Sequence, residues 1–191
     1  MKKILILVLA LFCAQASAVY VEAGLGVGGA STSVDGKSIG DNCQGCSSLA
    51  VNLGFRVGGQ LMDNLFLAGE FSAVGDRYYN FSGVESRYYS DKDYYIQFNS
   101  YIIGPSVAYY PVNQLHLSAS LGFVFTGNDT NVPLMYVKNG TGFGGTATVA
   151  YHFGDHNGTL LGARFTATSV TVNSKDLFTV GLALFVSFVH M

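Results

Sequence analysis

Apolar residues alternate with small or polar residues through most of this chain. The first alternating segment places on one face Val19, Val21, Ala23, Leu25 and Val27, and on the other Tyr20, Glu22, Gly24, Gly26 and Gly28. The pattern recurs at 49–58, 65–73, 115–126, 143–153, 161–168 and 178–188. Successive side chains of a β-strand face opposite sides of a sheet. With one irregular segment at 96–109, the pattern predicts eight strands of about ten residues each.

The irregular fourth segment changes parity along its length. Its apolar face runs through 101–109, whereas Ile96 and Phe98 have the opposite parity. Pro105 also lacks the N–H group that a fully paired strand donates. We therefore expect a β-bulge between Asn99 and Pro105.

The beginning of the chain has the features of a secretory signal peptide. Lys2 and Lys3 precede an apolar run that is too short to span a bilayer as a helix, and Ala16-Ser17-Ala18 offers a cleavage site. We expect residues 1–18 to be removed and residues 19–191 to form one domain.

Composition indicates where this exported domain resides. Hydrophobic residues make up 49% of the chain and charged residues only 12%, yet no later stretch reaches the length of an apolar transmembrane helix. Only helices and closed barrels satisfy all backbone polar groups in hydrocarbon. The sequence thus predicts an all-β fold, an eight-stranded antiparallel up-and-down transmembrane β-barrel.

A soluble barrel of the lipocalin kind is the structural alternative. Its outer face would meet water, but the less apolar face here is mostly Gly, Ala, Ser and Thr, with few charges. That composition suits a narrow lumen better than a soluble surface. The connections at 31–47, 75–93 and 127–141 are long, and we also expect a shorter loop at 170–176. Tight turns alternate with them, as in outer-membrane barrels with short periplasmic turns.

The chain resembles small outer-membrane barrels of the OmpA/OmpX type over the whole segment from Val19 to about Phe188. The resemblance implies an outer-membrane location, contacts with outer-membrane lipid and lipopolysaccharide, and recognition by the barrel-assembly machinery. In that family a C-terminal Phe is the assembly signal. Phe188 has the matching parity, but three further residues, Val189-His190-Met191, follow it here.

Four charged residues have lumen parity: Glu22, Arg56, Glu70 and Arg164. Two acids and two bases balance, which favours a buried ionic network that plugs the lumen. The alternative is a proton or ion path, because ionisable residues at membrane depth are often functional. Arg56 lies on the second strand, between Glu22 and Glu70, so one guanidinium can serve both carboxylates.

Two loop features are candidate sites. Cys43 and Cys46 form a C-x-x-C pair in the first outer loop; we expect a disulfide, with redox or metal chemistry as alternatives. The second loop is rich in tyrosine and arginine, a composition favoured at binding surfaces. Its interaction candidates are Arg77, Tyr78, Tyr79, Arg87, Tyr88 and Tyr89.

Two motifs point weakly to other chemistry. Gly24, Gly26 and Gly29 match a dinucleotide-binding G-x-G-x-x-G, but no helical pattern follows them. His116 and Ser118 have the His-x-Ser spacing of lipid A deacylase barrels, but both have lumen parity and no acidic partner is evident.

These observations favour a non-enzymatic outer-membrane barrel that contributes to envelope integrity and, through its outer loops, to adhesion to an extracellular ligand. The alternative is a narrow channel or carrier for a small or hydrophobic solute, and a lipid-modifying enzyme is less favoured. We expect no cofactor, no metal and no nucleic-acid partner.

Overall fold

Eight long antiparallel strands form the body of the protein. The computed structural model describes residues 19–40, 47–79, 95–130, 139–154, 157–172 and 174–191. The strands are β1 (Val19–Val34), β2 (Ser47–Met62), β3 (Leu65–Tyr79), β4 (Tyr95–Val112), β5 (Leu115–Thr130), β6 (Gly140–Phe153), β7 (Asn157–Val172) and β8 (Lys175–His190). A two-residue strand, Lys37–Ser38, pairs with the end of β1. Within the described ranges, no helix is long and apolar enough to cross a membrane.

The sheet closes on itself. Each strand pairs with the next along the chain, and β8 pairs back with β1 from Val21–His190 to Val34–Leu177. Closure leaves none of the eight long strands described here with an unpaired edge through the middle of the barrel, which is the requirement for a sheet surrounded by hydrocarbon. The predicted eight-stranded antiparallel barrel is therefore confirmed.

The two faces of the barrel differ sharply in polarity. Large apolar side chains point outward and are widely exposed, including Leu121 (75%), Leu184 (74%) and Phe188 (70%). Charged side chains such as Glu22 and Arg56 point inward and are buried. A continuous apolar exterior of this kind is unfavourable in water. The soluble lipocalin-type alternative is excluded by this arrangement.

The strands are longer than the predicted ten residues, ranging from 14 in β6 to 18 in β4. The prediction of a loop at 170–176 is wrong, because β7 extends to Val172 and β8 begins at Lys175. Period-two alternation of apolar residues disappears where the outward face becomes polar, although backbone pairing continues. A strand of 16 residues, tilted as barrel strands are, rises about 40 Å, roughly 15 Å more than the apolar band of such barrels.

No β-bulge lies between Asn99 and Pro105, so that prediction is wrong. β4 pairs with β3 in one continuous register. Between Asn99 and Pro105, β4 also keeps a single register with β5, and the pairing is interrupted there only at Gly104 and Pro105, where the proline has no N–H. The register shift lies instead at Tyr109/Val112, beside the hairpin. The parity change of Ile96 and Phe98 has a different cause: both side chains point into the lumen and are buried.

We call the end of the barrel with the tight hairpins the turn end, and the opposite end the loop end. Three layers of side chains follow one another through the lumen from the turn end to the loop end. The turn-end cluster consists of Tyr20, Phe66, Ala68, Ala108, Tyr110, Ala150, Leu160 and Val189. The charged layer consists of Glu22, Arg56, Glu70 and Arg164. The loop-end cluster consists of Ile39, Tyr78, Ile96, Phe98, Ile102, Val124, Val170, Val172 and Leu177.

Candidate functional site

The register of the first three strands aligns three members of the charged layer. Glu22 of β1 lies directly opposite Arg56 of β2, and Arg56 lies directly opposite Glu70 of β3. Directly opposed residues of antiparallel strands have neighbouring side chains on the same face. The backbone pairing thus places one guanidinium between two carboxylates.

Arg56 donates a hydrogen bond to each carboxylate. Its Nη1 lies 2.7 Å from Glu22 Oε2, and its Nε lies 2.6 Å from Glu70 Oε2. All three side chains are at most 3% exposed. Short charge-assisted hydrogen bonds of this kind are about twice as strong as neutral ones.

Arg164 reaches the same layer from the far side of the barrel. It lies on β7, and its Nη2 donates to Glu70 Oε1 at 2.8 Å. Its guanidinium occupies the space where a side chain at Gly54 would stand, and its Cζ lies 4.3 Å from the centre of the Phe185 ring. This contact joins non-adjacent strands, so the charged layer crosses the lumen.

Hydroxyl groups complete the hydrogen bonding of both carboxylates. Glu22 accepts from Tyr20 Oη at 2.6 Å and from Ser187 Oγ at 3.1 Å. Glu70 accepts from Ser72 Oγ at 2.5 Å and from Thr146 Oγ1 at 3.0 Å. None of these four partners was predicted from the sequence. Tyr20 and Ser72 each lie two residues from an acid, so strand parity alone was a signal for them.

The first glycine of the motif has a packing role in the lumen, whereas Gly29 lies on the exposed outward face. β1 continues as a strand through all three glycines, which excludes the strand–turn–helix arrangement of a nucleotide site. A Cβ atom at Gly24 would overlap the Phe185 ring and Ser187 Cβ, whereas one at Gly29 would meet only Ser48 Oγ at 4.0 Å. Gly24 thus makes room for Phe185.

His116 and Ser118 both lie inside the lumen, with His116 fully buried. The expectation that His116 has no acidic neighbour is wrong, because its Nε2 lies 3.8 Å from Glu22 Oε2 and 3.4 Å from Tyr20 Oη. The Glu22 carboxylate comes from β1, 94 residues earlier in the sequence, which local spacing does not reveal. Neither side chain reaches the lipid-facing surface where acyl chains lie.

The loop end carries a polar outward-facing patch, which we call the Arg77 patch: Arg77, Tyr95 and Asp129. The Arg77 guanidinium carbon lies 3.9 Å from the centre of the Tyr95 ring, and Tyr95 Oη donates to Asp129 Oδ2 at 3.0 Å. The hydrogen bond to Asp129 raises the pKa of the Tyr95 hydroxyl. Tyr78, in contrast, points inward, is 4% exposed, and accepts a hydrogen bond from the Thr32 N–H.

Several predicted site residues lie outside the described part of the chain: residues 1–18, Cys43, Cys46, Arg87, Tyr88 and Tyr89, together with the side chain of Tyr79. Phe188 is described; it points outward and pairs with Ala23. The strand continues past it to His190. Within the described residues, no three or more His, Cys, Asp or Glu side chains are grouped to hold a metal ion.

The fold is similar to those of solved bacterial surface proteins. Ail, the attachment invasion locus protein of Yersinia pestis, aligns with a TM-score of 0.53 at 12% identity, covering 88% of this chain and 99% of Ail. The complex of Ail with the heparin analogue sucrose octasulfate aligns with a TM-score of 0.54 at 10% identity, covering 88% of this chain and 99% of that chain. Neisserial surface protein A aligns with a TM-score of 0.51 at 16% identity, covering 90% of this chain and 97% of that protein. A comparison with curated protein sequences found no match.

A sequence family agrees with this architecture over nearly the whole chain. The family described as outer membrane protein beta-barrel domain matches residues 4–188. The match includes all but the end of the last strand. The chain therefore belongs to the outer-membrane β-barrel domain family, and it is a protein of the bacterial outer membrane.

Proposed function

We propose that this protein is a non-enzymatic barrel with a closed lumen, which supports the integrity of the outer membrane and makes surface contacts at its loop end. One observation is the main support for the proposal of a closed lumen. The charged layer extends from β1 to β7 across the barrel, through contacts of 2.6–2.8 Å between its four members.

The barrel's dimensions and its layers both oppose solute flow. Eight strands enclose a space just wide enough for side chains. On the turn-end side of the charged layer, the Phe66 ring packs between two tyrosine rings. Its centroid lies 5.0 Å from that of Tyr20 and 5.9 Å from that of Tyr110. A solute would have to separate these rings and also break ion pairs that are protected from water, which is unfavourable.

The lumen also supports the non-enzymatic assignment. The carboxylates of Glu22 and Glu70 each accept hydrogen bonds from guanidinium and hydroxyl donors, so neither is free to act as a base. A nucleophile needs a base oriented by a third group and room for a substrate. His116 and Ser118 are enclosed in the barrel, where lipid cannot reach them.

The loop end supports the proposed surface contacts. The strands extend beyond the apolar band and hold the Arg77 patch on a paired β-scaffold, which limits the entropy lost on binding. Tyrosine and arginine are enriched among residues that dominate binding energy. The attachment function in the name of Ail is consistent with this role. We extend the proposal to Arg87, Tyr88 and Tyr89 of the adjoining loop, to a disulfide between Cys43 and Cys46, and to contacts with lipopolysaccharide.

Solute flux tests the closed lumen. Purified protein is reconstituted into liposomes loaded with a small fluorescent dye, beside liposomes that contain a known porin. The proposal predicts leakage equal to that of protein-free liposomes. Dye release that rises with the amount of reconstituted protein would support a channel or carrier instead.

A binding assay tests the loop end separately. Cells that display the protein are applied to surfaces coated with host matrix proteins or sulfated glycans, using Arg77→Ala and Tyr95→Ala. The control is Tyr109→Ala, an outward-facing tyrosine at the opposite end of β4. The proposal predicts that the first two variants reduce adhesion and the control does not. Unchanged adhesion by all three would exclude the Arg77 patch as the contact.

A further inference from the structure

The Arg77 patch is part of a wider polar surface on the outer face of β3, β4 and β5. Directly opposed residues of these strands form two outward-facing rows, which we call the polar platform: Arg77, Gln97 and Asp129 in the row nearer the loops, and Gly75, Asn99 and Gly127 in the row nearer the middle of the barrel. All six are half-buried or exposed. They share the parity of Tyr101 and Phe125 on the barrel exterior, so the platform faces sideways, along the membrane plane.

Amide side chains lie beside the two glycines of the platform. Gln97 Nε2 donates a hydrogen bond to Asn99 Oδ1 at 2.7 Å. A Cβ atom at Gly75 would lie 3.4 Å from Asn99 Oδ1, and one at Gly127 would lie 3.1 Å from the Oδ1 atom of Asn139, just before β6. Glycine allows a ligand to approach the backbone closely. The platform thus combines an open backbone with neighbouring amide groups.

The platform has hydrogen-bond donors and acceptors but no net charge. Its charged residues are Arg77 and Asp129, whose charges cancel. The amides of Gln97 and Asn99 each donate and accept, the guanidinium only donates and the carboxylate only accepts. Sugar hydroxyl groups also donate and accept at once, whereas phosphate groups mainly accept and are attracted by net positive surfaces. This composition favours a saccharide over a phosphate group.

The height of the platform indicates where its ligand lies. The next row towards the middle of the barrel is Ala73, Tyr101 and Phe125, followed by Phe71, Ile103 and Phe123, which belong to the apolar exterior. With a rise of about 3.4 Å per residue and a tilt of about 40°, each row lies about 5 Å beyond the previous one. Lipid head groups occupy about 5–8 Å outside the hydrocarbon core. The platform is therefore continuous with the lipid-facing surface and stands at head-group level.

The opposite side of the barrel has a different composition at this end. The described outward positions of β7, β8 and β1 there include no amide and no arginine; they include Ser169, Thr171, Phe178, Val180, Ser31 and Ser33. Within the described residues, the platform is therefore confined to one side. Ser169, the first polar outward position of β7 beyond Phe165 and Ala167, provides a matched control.

We propose that the polar platform binds the sugar units of lipopolysaccharide in the outer leaflet of the same membrane. This inference deepens the proposed surface contact at the loop end and rests on it; the ligand lies beside the barrel. Acyl chains pack against the apolar rows, and hydroxyl groups of the sugars next to the lipid anchor form hydrogen bonds with Gln97, Asn99 and Asp129. Because both contacts are made by one molecule, each raises the effective concentration of the other.

Native mass spectrometry of the folded barrel in detergent tests the site with two purified probes. One is lipopolysaccharide from a rough strain, which carries core sugars; the other is lipid A from the same strain, which lacks them. The wild type should bind the first more tightly. Gln97→Ala and Asn99→Ala should each reduce that preference about fivefold, the effect of losing about one hydrogen bond. Ser169→Ala should keep the wild-type preference, and gel migration verifies that each variant is folded.

Equal affinity of the wild type for the two probes would overturn the proposal without any variant. It would also be overturned if Arg77→Ala weakened both probes alike while Gln97→Ala and Asn99→Ala changed neither, because phosphate would then be the ligand. Free core oligosaccharide that binds as tightly as the intact glycolipid would contradict a ligand held in the membrane. The adhesion assay with Arg77→Ala and Tyr95→Ala uses surfaces outside the cell, so its outcome separates failure of this inference from failure of the proposed surface contact.

Discussion

Replacing Arg56 with methionine removes the guanidinium that joins the two carboxylates of the charged layer, while retaining much of the side-chain volume. The two acids are then affected unequally. Glu70 retains the hydrogen bond from Arg164 Nη2 at 2.8 Å. Glu22 retains only its neutral donors, Tyr20 and Ser187. Most of the cost therefore falls on Glu22.

Removing one partner of a buried ion pair costs about 3–5 kcal/mol, because the other charge stays buried without compensation. We expect Arg56→Met to lose about that much of the free energy of unfolding. Neutralising Glu22 as well removes the uncompensated charge, so Arg56→Met/Glu22→Gln should recover most of the loss. Arg56→Met/Glu70→Gln should recover none of it, because Glu22 remains charged and Arg164 loses its acid.

Urea unfolding in detergent, followed by circular dichroism, measures these differences. Lys175→Met, at an exposed end of β8, is the control and should change stability by no more than about 0.5 kcal/mol. A change this small for Arg56→Met would refute the reasoning. Equal recovery by the Glu22 and Glu70 replacements would also contradict the geometry of the charged layer.

Three further predictions concern other parts of the protein. Gly24→Ala should destabilise the barrel strongly because its methyl group overlaps Phe185, whereas Gly29→Ala should be tolerated; urea unfolding compares the two, and equal stability would refute the packing argument. Thiol labelling of exported protein should find Cys43 and Cys46 unreactive until a reductant is added, and free labelling beforehand would exclude the disulfide. The folded barrel should migrate differently on a denaturing gel before and after boiling; identical migration would contradict a stable closed barrel.

The central part of each strand was predictable because lipid outside and side chains inside give successive residues different environments. Leu25, Leu53 and Leu184 all face outward, as their parity predicts. The strand ends were not predictable in this way. At Ser31 and Arg77 the exterior is no longer apolar, but the strands continue to pair. Alternation reports the environment of a strand, and backbone hydrogen bonds determine its length.

The charged layer was only partly predictable. The sequence places Glu22, Arg56 and Glu70 on consecutive strands, so their proximity follows from hairpin pairing. The contact of Arg164 with Glu70 depends on closure of the barrel and on the space at Gly54. The approach of His116 to Glu22 depends on the same closure. Contacts across a lumen join strands that are distant in sequence, and local patterns do not encode them.

Single-channel recording of the wild-type protein in a planar bilayer tests the closed lumen most directly. The protein is refolded, shown by gel migration to be folded, and inserted at a density at which a control porin gives regular conductance steps. The three layers of the lumen predict a baseline identical to that of the bare membrane across the voltage range. Reproducible steps of uniform size from the folded wild type would show a continuous aqueous path and would contradict the closed lumen.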